Sequence, residues 1–589
     1  MKVFGWIITG LVTIATAVFL QLNKNTLIGF LLLLMVLSGL IVLNIRKIFT
    51  GSWWKRGILV CIYTALCMLV IISTWPPMEQ VKAYDTKSPR PTETVKTEKG
   101  DVRGVVLAGG NAELFAGIPY AKPPVGELRW KRPQDVDSWK GVLECDTFAP
   151  MSMQARNLPA YDSIAKIVGF HDYKLSLRDR YREAVSEDSL YLNVWRPAQH
   201  KENLPVIVYI HGGSLQTGQP WFSDYSGKGF AENGVICVNM GYRLGVFGFL
   251  ATEELAAEDP DGSTGNYGLL DQIKALEWVR DNIRSFGGDP DNVTIVGESA
   301  GAVCVDALCV SPLAQGLFKK AILESSAVSS TDPPHSYRLF DNALASGKDL
   351  MERYDCSSMS ELRSIDAEKL VDEQSTQHHV TIDGYVLPDT PYALRKSGVH
   401  NEEAVLHGYN AEESGPFILF SHANMKNYEQ KVRTYFGDYA EEVLELYPAA
   451  TDQEADEAWA KIYGAVFFNY SHYCLNRLEN KNQVPAYEYL FTKTNGRLGC
   501  WHSGELVYAF HNIPQDSKLY DAEDRSLSDL MHAYWLSFAE NGDPNGQGLP
   551  EFSVSPDSSE VFEFGEHTGM EKEPMTQLYR IMDRMYGWE

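Results

Sequence analysis

One short stretch limits what this chain can fold into: a β-branched run that ends in a glycine-bounded serine. Val293-Thr-Ile-Val296 is followed by Gly297-Glu-Ser-Ala-Gly301 and then by small apolar residues. Glycines on both sides of Ser299 allow a sharp, strained turn that lifts the serine hydroxyl clear of a sheet. The pattern therefore predicts a strand, a tight turn and a helix, with Ser299 presented at the turn.

The residues before this stretch alternate between strand-like and helix-like patterns. Val206–Ile210 and Val235–Val238 are continuous apolar runs, typical of strands buried on both faces of a parallel sheet. Apolar residues then recur at helical spacing from Leu269 to Ile283, and Gly287 and Gly288 end that helix. Strands and helices in this order predict an α/β fold with a large, mostly parallel sheet.

Main-chain donors for an oxyanion are predicted beside the serine. A predicted strand runs directly into His211-Gly212-Gly213, where the glycines let backbone N–H groups approach a substrate oxygen. We assign Gly212 and Gly213 to an oxyanion hole, together with the N–H of Ala300, which follows Ser299. His211 is interpreted as a structural residue. These features predict acyl transfer by nucleophilic catalysis, which needs no metal and no cofactor.

A general base should lie late in the chain, because nucleophile, acid and base follow one another in that order in folds with this serine turn. The sequence has 14 histidines. His502 lies in a loop beyond a strand-like stretch, Tyr487–Thr492, and is the preferred candidate. His511 and His532 are rivals, and His532 lies in a helical run that favours a core or surface role.

The acid should follow a strand between the serine and the base. Ala404–Gly408 is such a strand, and Glu412 and Glu413 lie just beyond it. A carboxylate there would hold the tautomer of the base and stabilise its imidazolium form. The residues alone leave the choice between Glu412 and Glu413 open.

Three apolar runs open the sequence, at about Val3–Leu20, Thr26–Leu43 and Gly57–Ser73. Each is long enough to predict a transmembrane helix. The loop between the second and third runs carries four basic residues and is predicted to be cytoplasmic by the positive-inside rule. These runs therefore predict a multi-pass membrane anchor. They also predict that everything after about Trp75 lies outside the cytoplasm. Alternatively, the first run is a cleaved signal peptide, which leaves the same final orientation.

Charge and composition divide the rest of the chain. The net charge is −25, yet the first 80 residues hold six basic residues and one acidic residue. The strongly acidic remainder argues against nucleic-acid binding. Prolines mixed with polar residues indicate a linker over 76–100. We therefore predict an anchor over 1–75, the linker, and a catalytic domain over 101–589.

Longer stretches resemble the type-B carboxylesterase/lipase family, the cholinesterase-like branch of the α/β-hydrolases. They include Phe115-Ala-Gly-Ile-Pro-Tyr-Ala-Lys-Pro-Pro124, Glu187-Asp-Ser-Leu-Tyr-Leu-Asn-Val194, Asn239–Phe249, Gly265–Gln272, Phe286–Pro290 and Phe538–Asn545. The resemblance implies an α/β-hydrolase fold behind the three-helix anchor and hydrolysis of small carboxylic esters. It implies Ser299 as nucleophile, Glu413 as acid and His502 as base, with Ser503 where the family pattern has glycine.

Two departures from the family pattern stand out. Positions 152 and 189 are serines here, whereas many members of the family that this chain resembles have cysteines at both positions. The stretch 156–185 contains no tryptophan, which argues against choline-ester specificity.

Two alternatives to a simple esterase remain. One is a catalytically inactive binding ectodomain, as in neuroligin-like members. The other is a lipase, whose thin lid candidate is Ile164–Val168 with Phe170.

Overall fold

The structure is a computed structural model that describes residues 2–46, 53–84, 86, 88–156, 158–168, 175–330, 337–371, 379–419, 421–494 and 499–588. Its strands, numbered along the chain, are β1 (Met78–Glu79), β2 (Arg90–Pro91), β3 (Val95–Lys96), β4 (Asp101–Arg103), β5 (Val105–Val106), β6 (Ala112–Pro119), β7 (Val142–Glu144), β8 (Met151–Ser152), β9 (Arg182–Glu183), β10 (Val185–Ser186), β11 (Tyr191–Pro197), β12 (Leu204–Ile210), β13 (Ile236–Met240), β14 (Gly288–Glu298), β15 (Lys320–Glu324), β16 (Tyr337–Leu339), β17 (Val380–Ile382), β18 (Ala404–Asn410), β19 (Ala486–Phe491), β20 (Glu560–Phe564) and β21 (Gly569–Lys572).

The helices are α1 (Lys2–Leu22), α2 (Ile28–Ile45), α3 (Trp53–Ser73), α4 (Pro159–Val168), α5 (Lys228–Glu232), α6 (Gly245–Phe249), α7 (Glu253–Glu258), α8 (Tyr267–Asn282), α9 (Ala300–Val310), α10 (Phe340–Arg353), α11 (Met359–Arg363), α12 (Ala367–Val371), α13 (Pro391–Lys396), α14 (Gly415–Ile418), α15 (Tyr428–Phe436), α16 (Ala440–Leu446), α17 (Asp452–Gly464), α18 (Tyr470–Lys481), α19 (Leu506–Ala509), α20 (Ala522–Asn541) and α21 (Thr576–Tyr586).

The chain folds into two compact units. The N-terminal unit comprises Met1–Val81 and Arg156–Ala184, and the main unit comprises Lys82–Ala155 and Val185–Glu589. The predicted linker over 76–100 contains β2 and β3, which pair with strands of the main unit. These strands have two residues each, too few to produce a recognisable apolar period.

A 12-stranded sheet forms the centre of the main unit, in the order β2-β5-β6-β11-β13-β12-β14-β15-β18-β19-β20-β21. The pairings from β13 to β20 are parallel. Those at both ends are antiparallel. The sheet is therefore mixed, with a parallel centre and antiparallel outer strands, and the sequence pattern of the outer strands does not reveal their direction.

The predicted strand, turn and helix around the serine are present as β14 and α9. The β-branched residues Val206, Val293 and Ile295 are fully buried, as expected of strands covered on both faces. In the parallel register Ile210 is opposite Gly297, so β12 and β14 end at the same edge of the sheet. The loops that follow these strands must start side by side.

The N-terminal unit contains α1, α2 and α3, which pack through Leu20, Leu33, Leu40, Tyr63, Cys67 and Val70. Within the described residues, two helices are long and apolar enough to cross a membrane, Ile28–Ile45 and Trp54–Ser73. The expectation of three spans is corrected to two, because the described apolar stretch of α1, Trp6–Leu22, is shorter than the two candidate spans.

Candidate active site

Ser299 occupies the turn between β14 and α9 with a backbone conformation that few residues adopt. Its φ is 55° and its ψ is −126°. A Cβ on Gly297 would lie 2.4 Å from the carbonyl atoms of Gly301, and a Cβ on Gly301 would lie 2.0 Å from Ile210 O. Only glycine fits at both positions, so the two flanking glycines permit the strained turn. Ser299 itself is partly exposed.

The glycine loop after β12 lies directly beside Ser299. A Cβ on Gly212 would be 3.0 Å from the Ser299 Cβ and 2.6 Å from Glu298 O. Gly213 has a φ of 107°, and a Cβ there would be 2.2 Å from Thr217 O. Ala300 begins α9, so its N–H has no acceptor within the helix. The structure therefore places the glycine loop and the first N–H of α9 next to Ser299, where side chains at the two glycines would not fit.

His211 is held against this loop by its neighbours. Its ring stacks on Tyr242 at 4.6 Å, and the Tyr242 hydroxyl donates to His211 O at 2.7 Å. Its Nδ1 lies 2.9 Å from Gly212 O. Burial lowers the pKa of His211 to about 4, despite the hydrogen bond to Gly212. The ring is therefore neutral at physiological pH and fixes the glycine loop.

Glu413 and His502, separated by 88 residues of chain, are hydrogen-bonded. His502 Nδ1 lies 2.5 Å from Glu413 Oε2, and Glu413 Oε1 accepts from the N–H of Asn410 at 2.7 Å. Both side chains are buried. The Glu412 side chain instead accepts a hydrogen bond from the N–H of Cys500 at 2.9 Å. The structure thus brings Glu413, and not Glu412, to the imidazole.

His502 and Ser299 are not hydrogen-bonded in this part of the structure. His502 Nε2 is buried without a hydrogen bond, and it lies 3.2 Å from Glu298 Oε1. Contacts between nucleophile and base in hydrolases often tighten only when substrate binds. The structure therefore joins Glu413 to His502 and places the other ring nitrogen of His502 beside Glu298.

The surroundings of His502 are rich in buried carboxyl groups. Burial alone lowers the pKa of His502, but the charges on Glu413 and Glu298 outweigh it and raise that pKa to about 9. Burial raises the pKa of Glu298, and its attraction to His502 opposes the rise. Burial also raises the pKa of Glu505 to about 8. The resting site thus favours a protonated His502, whereas a general base must be neutral.

Sequence reasoning missed three members of this network: Glu298, Ser503 and Glu505. Ser503 Oγ donates to Glu298 Oε1, and Ser503 has a φ of 70°, a conformation suited to the glycine that the family pattern has there. Glu505 accepts from Ser325 Oγ at 2.8 Å and from Asn410. The only sequence signal for these three residues was their position next to Ser299 or His502 along the chain. That signal is weak, because a charged residue in such a position is ordinarily exposed to solvent.

The rival histidines have other partners. His511 Nε2 lies 2.7 Å from Asp529 Oδ1, and His532 Nδ1 lies 2.8 Å from Ala509 O. The two rings also stack on each other at 5.1 Å. Phe417 and Phe468, by contrast, contact the His502 ring at 5.1 Å and 4.8 Å between ring centroids. They hold the imidazole in an apolar wall on one side of the site.

Comparisons with known proteins agree with this geometry. A model of the carboxylesterase family matches residues 91–582. The fumonisin B1 esterase of Sphingopyxis macrogoltabida is 34% identical, over 80% of this chain and 86% of its own. The cocaine esterase of Homo sapiens is 32% identical, over 80% of this chain and 88% of its own.

The solved carboxylesterase of Geobacillus stearothermophilus has the same fold. It superposes with a TM-score of 0.70 at 30% identity, and the match covers 84% of this chain and all of that one. The predicted α/β-hydrolase fold and the family resemblance are thereby confirmed. The strained serine turn, its glycine loop and these relatives together show that the chain belongs to the carboxylesterase family and hydrolyses carboxylic esters.

Proposed function

We propose that this carboxylesterase works through an acyl-enzyme on Ser299, with His502 as general base and Glu413 as its orienting acid. Ser299 Oγ attacks the ester carbonyl carbon and its proton passes to His502 Nε2. The N–H groups of Gly212, Gly213 and Ala300 stabilise the oxyanion. When the tetrahedral intermediate collapses, His502 gives the proton to the leaving alcohol. Water then attacks the acyl-enzyme by the same route and releases the acid.

The hydrogen bond between His502 and Glu413 carries this proposal. It fixes one proton on Nδ1, so that Nε2 presents a lone pair toward the site once the imidazolium has lost its other proton. The carboxylate also stabilises the imidazolium that forms when Ser299 loses its proton. Nε2 makes no hydrogen bond but lies 3.2 Å from Glu298 Oε1, so this ion pair must loosen before Nε2 accepts the proton of Ser299.

Replacement of the nucleophile tests the proposal. Ser299→Ala should abolish turnover of a short-chain nitrophenyl ester and labelling by a fluorophosphonate probe. Ser346→Ala, which changes an exposed serine hydroxyl in α10, should alter neither. Turnover retained by a folded Ser299→Ala protein would contradict the assignment. Failure of the native protein to label would instead favour a binding role on the same fold.

We further propose that the N-terminal unit tethers the enzyme to a membrane with the main unit on the non-cytoplasmic side. Its spans Ile28–Ile45 and Trp54–Ser73 have mean hydropathies of 2.7 and 2.2. Arg46, Lys55 and Arg56 flank the connection between them, which the positive-inside rule places in the cytoplasm. The chain that leaves α3 is then exported.

Orientation and attachment are separately measurable. The full chain should stay with the membrane after alkaline carbonate washing. An epitope inserted after Gly548, in an open turn of the main unit, should be reached by an impermeant reagent from the non-cytoplasmic side only. Release by carbonate would refute the tether, and reaction from the cytoplasmic side would refute the orientation.

A further inference from the structure

The segment Arg156–Ala184 interrupts the main unit in sequence but folds with the N-terminal helices. At its base β8 pairs with β10, and Ser152 Oγ lies 2.9 Å from Ser189 Oγ. The chain therefore leaves and re-enters the main unit at one place. A hydrogen bond between serines stands where the family resemblance implies a disulfide. The catalytic mechanism assigns no task to this segment.

Hydrogen bonds attach the segment to the end of α1 and the loop that follows. Ser163 Oγ, in α4, donates to Leu22 O at 2.8 Å. Arg180 donates to Asn25 O at 2.8 Å and to Gln21 Oε1 at 2.5 Å. The carbonyls at the end of a helix lack partners within it, so these donors satisfy groups that otherwise need water.

The exit from α3 is held at the same end of the helices. β1, just after α3, pairs in parallel with β9 of the segment, and Arg182 N donates to Pro77 O at 2.8 Å. Thr26 N donates to Thr74 O at 3.0 Å, which joins the start of α2 to the end of α3. The segment thus lies where all three helices meet the polar loops, opposite the end that carries Arg46 and Lys55.

α4 exposes an apolar face that none of the described residues of its own unit covers. Tyr161, Ile164 and Ile167 are 59%, 48% and 53% exposed, and their spacing places them on one side of the helix. Asp162 and Lys166 lie on another side, while Ser163 faces α1. Leucines flanking the helix are exposed too, at 48% for Leu158, 74% for Leu175 and 64% for Leu177.

We propose that α4 and its flanking leucines form an interfacial element that inserts its apolar face into the headgroup–acyl boundary of a lipid bilayer. The proposal rests on the membrane tether proposed above. An amphipathic helix fixed at the end of a membrane-spanning bundle lies at the depth where lipid replaces water, and lipid there removes its apolar side chains from water. The charge of the segment agrees, because 156–184 holds six basic and four acidic residues in a chain of net charge −25.

Depth-dependent quenching of a fluorophore tests the proposal on the full chain in liposomes. An environment-sensitive NBD label is attached to Ile164→Cys, in a Cys61→Ser/Cys356→Ser background whose other seven cysteines are buried. Lipids carrying a nitroxide near the headgroup should quench this label several-fold more than a label on Lys166→Cys, on the polar side of the same helix. A label on Leu34→Cys, an exposed position of α2, should be quenched by a nitroxide deep in the acyl chain.

The three labels separate the possible failures. Equal quenching at positions 164 and 166, with position 34 quenched, would overturn the interfacial element and leave the tether standing. Absence of quenching at position 34 would overturn the tether. A blue-shifted label at position 164 that lipid nitroxides do not quench would mean that protein covers the face, and this too would overturn the proposal. Ester hydrolysis by each labelled variant verifies that it is folded.

Discussion

At the scale of single residues, the site is built from groups that would be unfavourable elsewhere. Ser299 stores backbone strain, and Ser503 adopts a left-handed conformation that favours glycine. Glu298 is buried beside the base. A hydrogen bond from the Ser503 hydroxyl to Glu298 offsets part of the free-energy cost of burying that carboxyl group. Strained backbone and buried charges of this kind are found at active sites, where the reacting groups must be held in a fixed geometry.

Adjacent glutamates provide a matched test of the acid. Glu413→Gln removes the negative charge next to His502 Nδ1, and we expect kcat to fall by roughly 10³–10⁴-fold because the imidazolium loses its stabilising partner. Glu412→Gln changes a side chain that binds the Cys500 N–H instead, and the loss should be far smaller. Steady-state kinetics on a nitrophenyl ester measure both. A larger loss in the Glu412 variant would show that the acid is misassigned.

The carboxyl group of Glu298 should shift the pH dependence of the enzyme. The pKa of His502 is raised to about 9, partly by Glu298, and the base is active only when it is deprotonated. Glu298→Gln removes an anion that favours the imidazolium, so the pKa of His502 should fall. The acidic limb of kcat/KM against pH should therefore move to lower pH.

The control for this shift is Glu253→Gln, which changes an exposed glutamate at the start of α7. Its pH profile should match that of the native enzyme. An unmoved limb in the Glu298 variant, with activity otherwise measurable, would show that this carboxyl does not influence the base.

At the scale of elements, the helix that follows the nucleophile is held by a buried ion cluster. Asp306 of α9 pairs with Arg395 of α13 at 2.8 Å, and Arg395 also binds Glu402 and Glu479 of α18. All four side chains are fully buried. Burial raises the pKa of Glu479 to about 8, although Arg395 opposes this, so its carboxyl is mostly protonated at neutral pH. The cluster ties three helices together behind the serine turn.

Removal of the cation should destabilise the main unit strongly. Arg395→Met leaves Asp306 and Glu402 buried without a counter-charge, and breaking a buried pair in this way costs about 3–5 kcal/mol. Urea unfolding followed by intrinsic fluorescence measures the change. Arg433→Met removes a cation that binds exposed glutamates on the surface, and its midpoint should scarcely move. Equal shifts in the two variants would contradict a special role for the buried cluster.

At the scale of the whole molecule, the division into two units predicts which truncations remain soluble. A chain that begins at Lys82 loses the partners of Arg156–Ala184 and leaves exposed apolar side chains on that segment. We expect it to aggregate in size-exclusion chromatography. A second variant also replaces 156–184 with a short Gly-Ser linker, which the pairing of β8 with β10 allows. This variant should be soluble and should hydrolyse nitrophenyl esters.

Loss of activity in the soluble second variant would mean that the segment contributes to the site. A soluble first variant would mean that the segment does not depend on the N-terminal helices. Either outcome would contradict the division of the chain into two independent units.

Much of the fold was predictable because its strands and helices carry strong local patterns. The run Val206–Ile210 lies within β12, and the helical spacing after Leu269 corresponds to α8, which begins at Tyr267. The direction of the outer strands was not predictable, since an apolar run reads alike in parallel and antiparallel sheets. Nor could the two-residue strands within the predicted linker be recognised.

The sequence by itself determined the serine turn, the glycine loop and the family, because each depends on residue types at fixed local spacing. Only the family resemblance indicated Glu413 rather than Glu412, and the tertiary structure brought Glu413 to His502 and alone placed Glu298 beside the same ring. It alone also attached 156–184 to the N-terminal helices. Contacts between residues far apart in the chain depend on how strands and helices pack, and local patterns carry no information about distance in space.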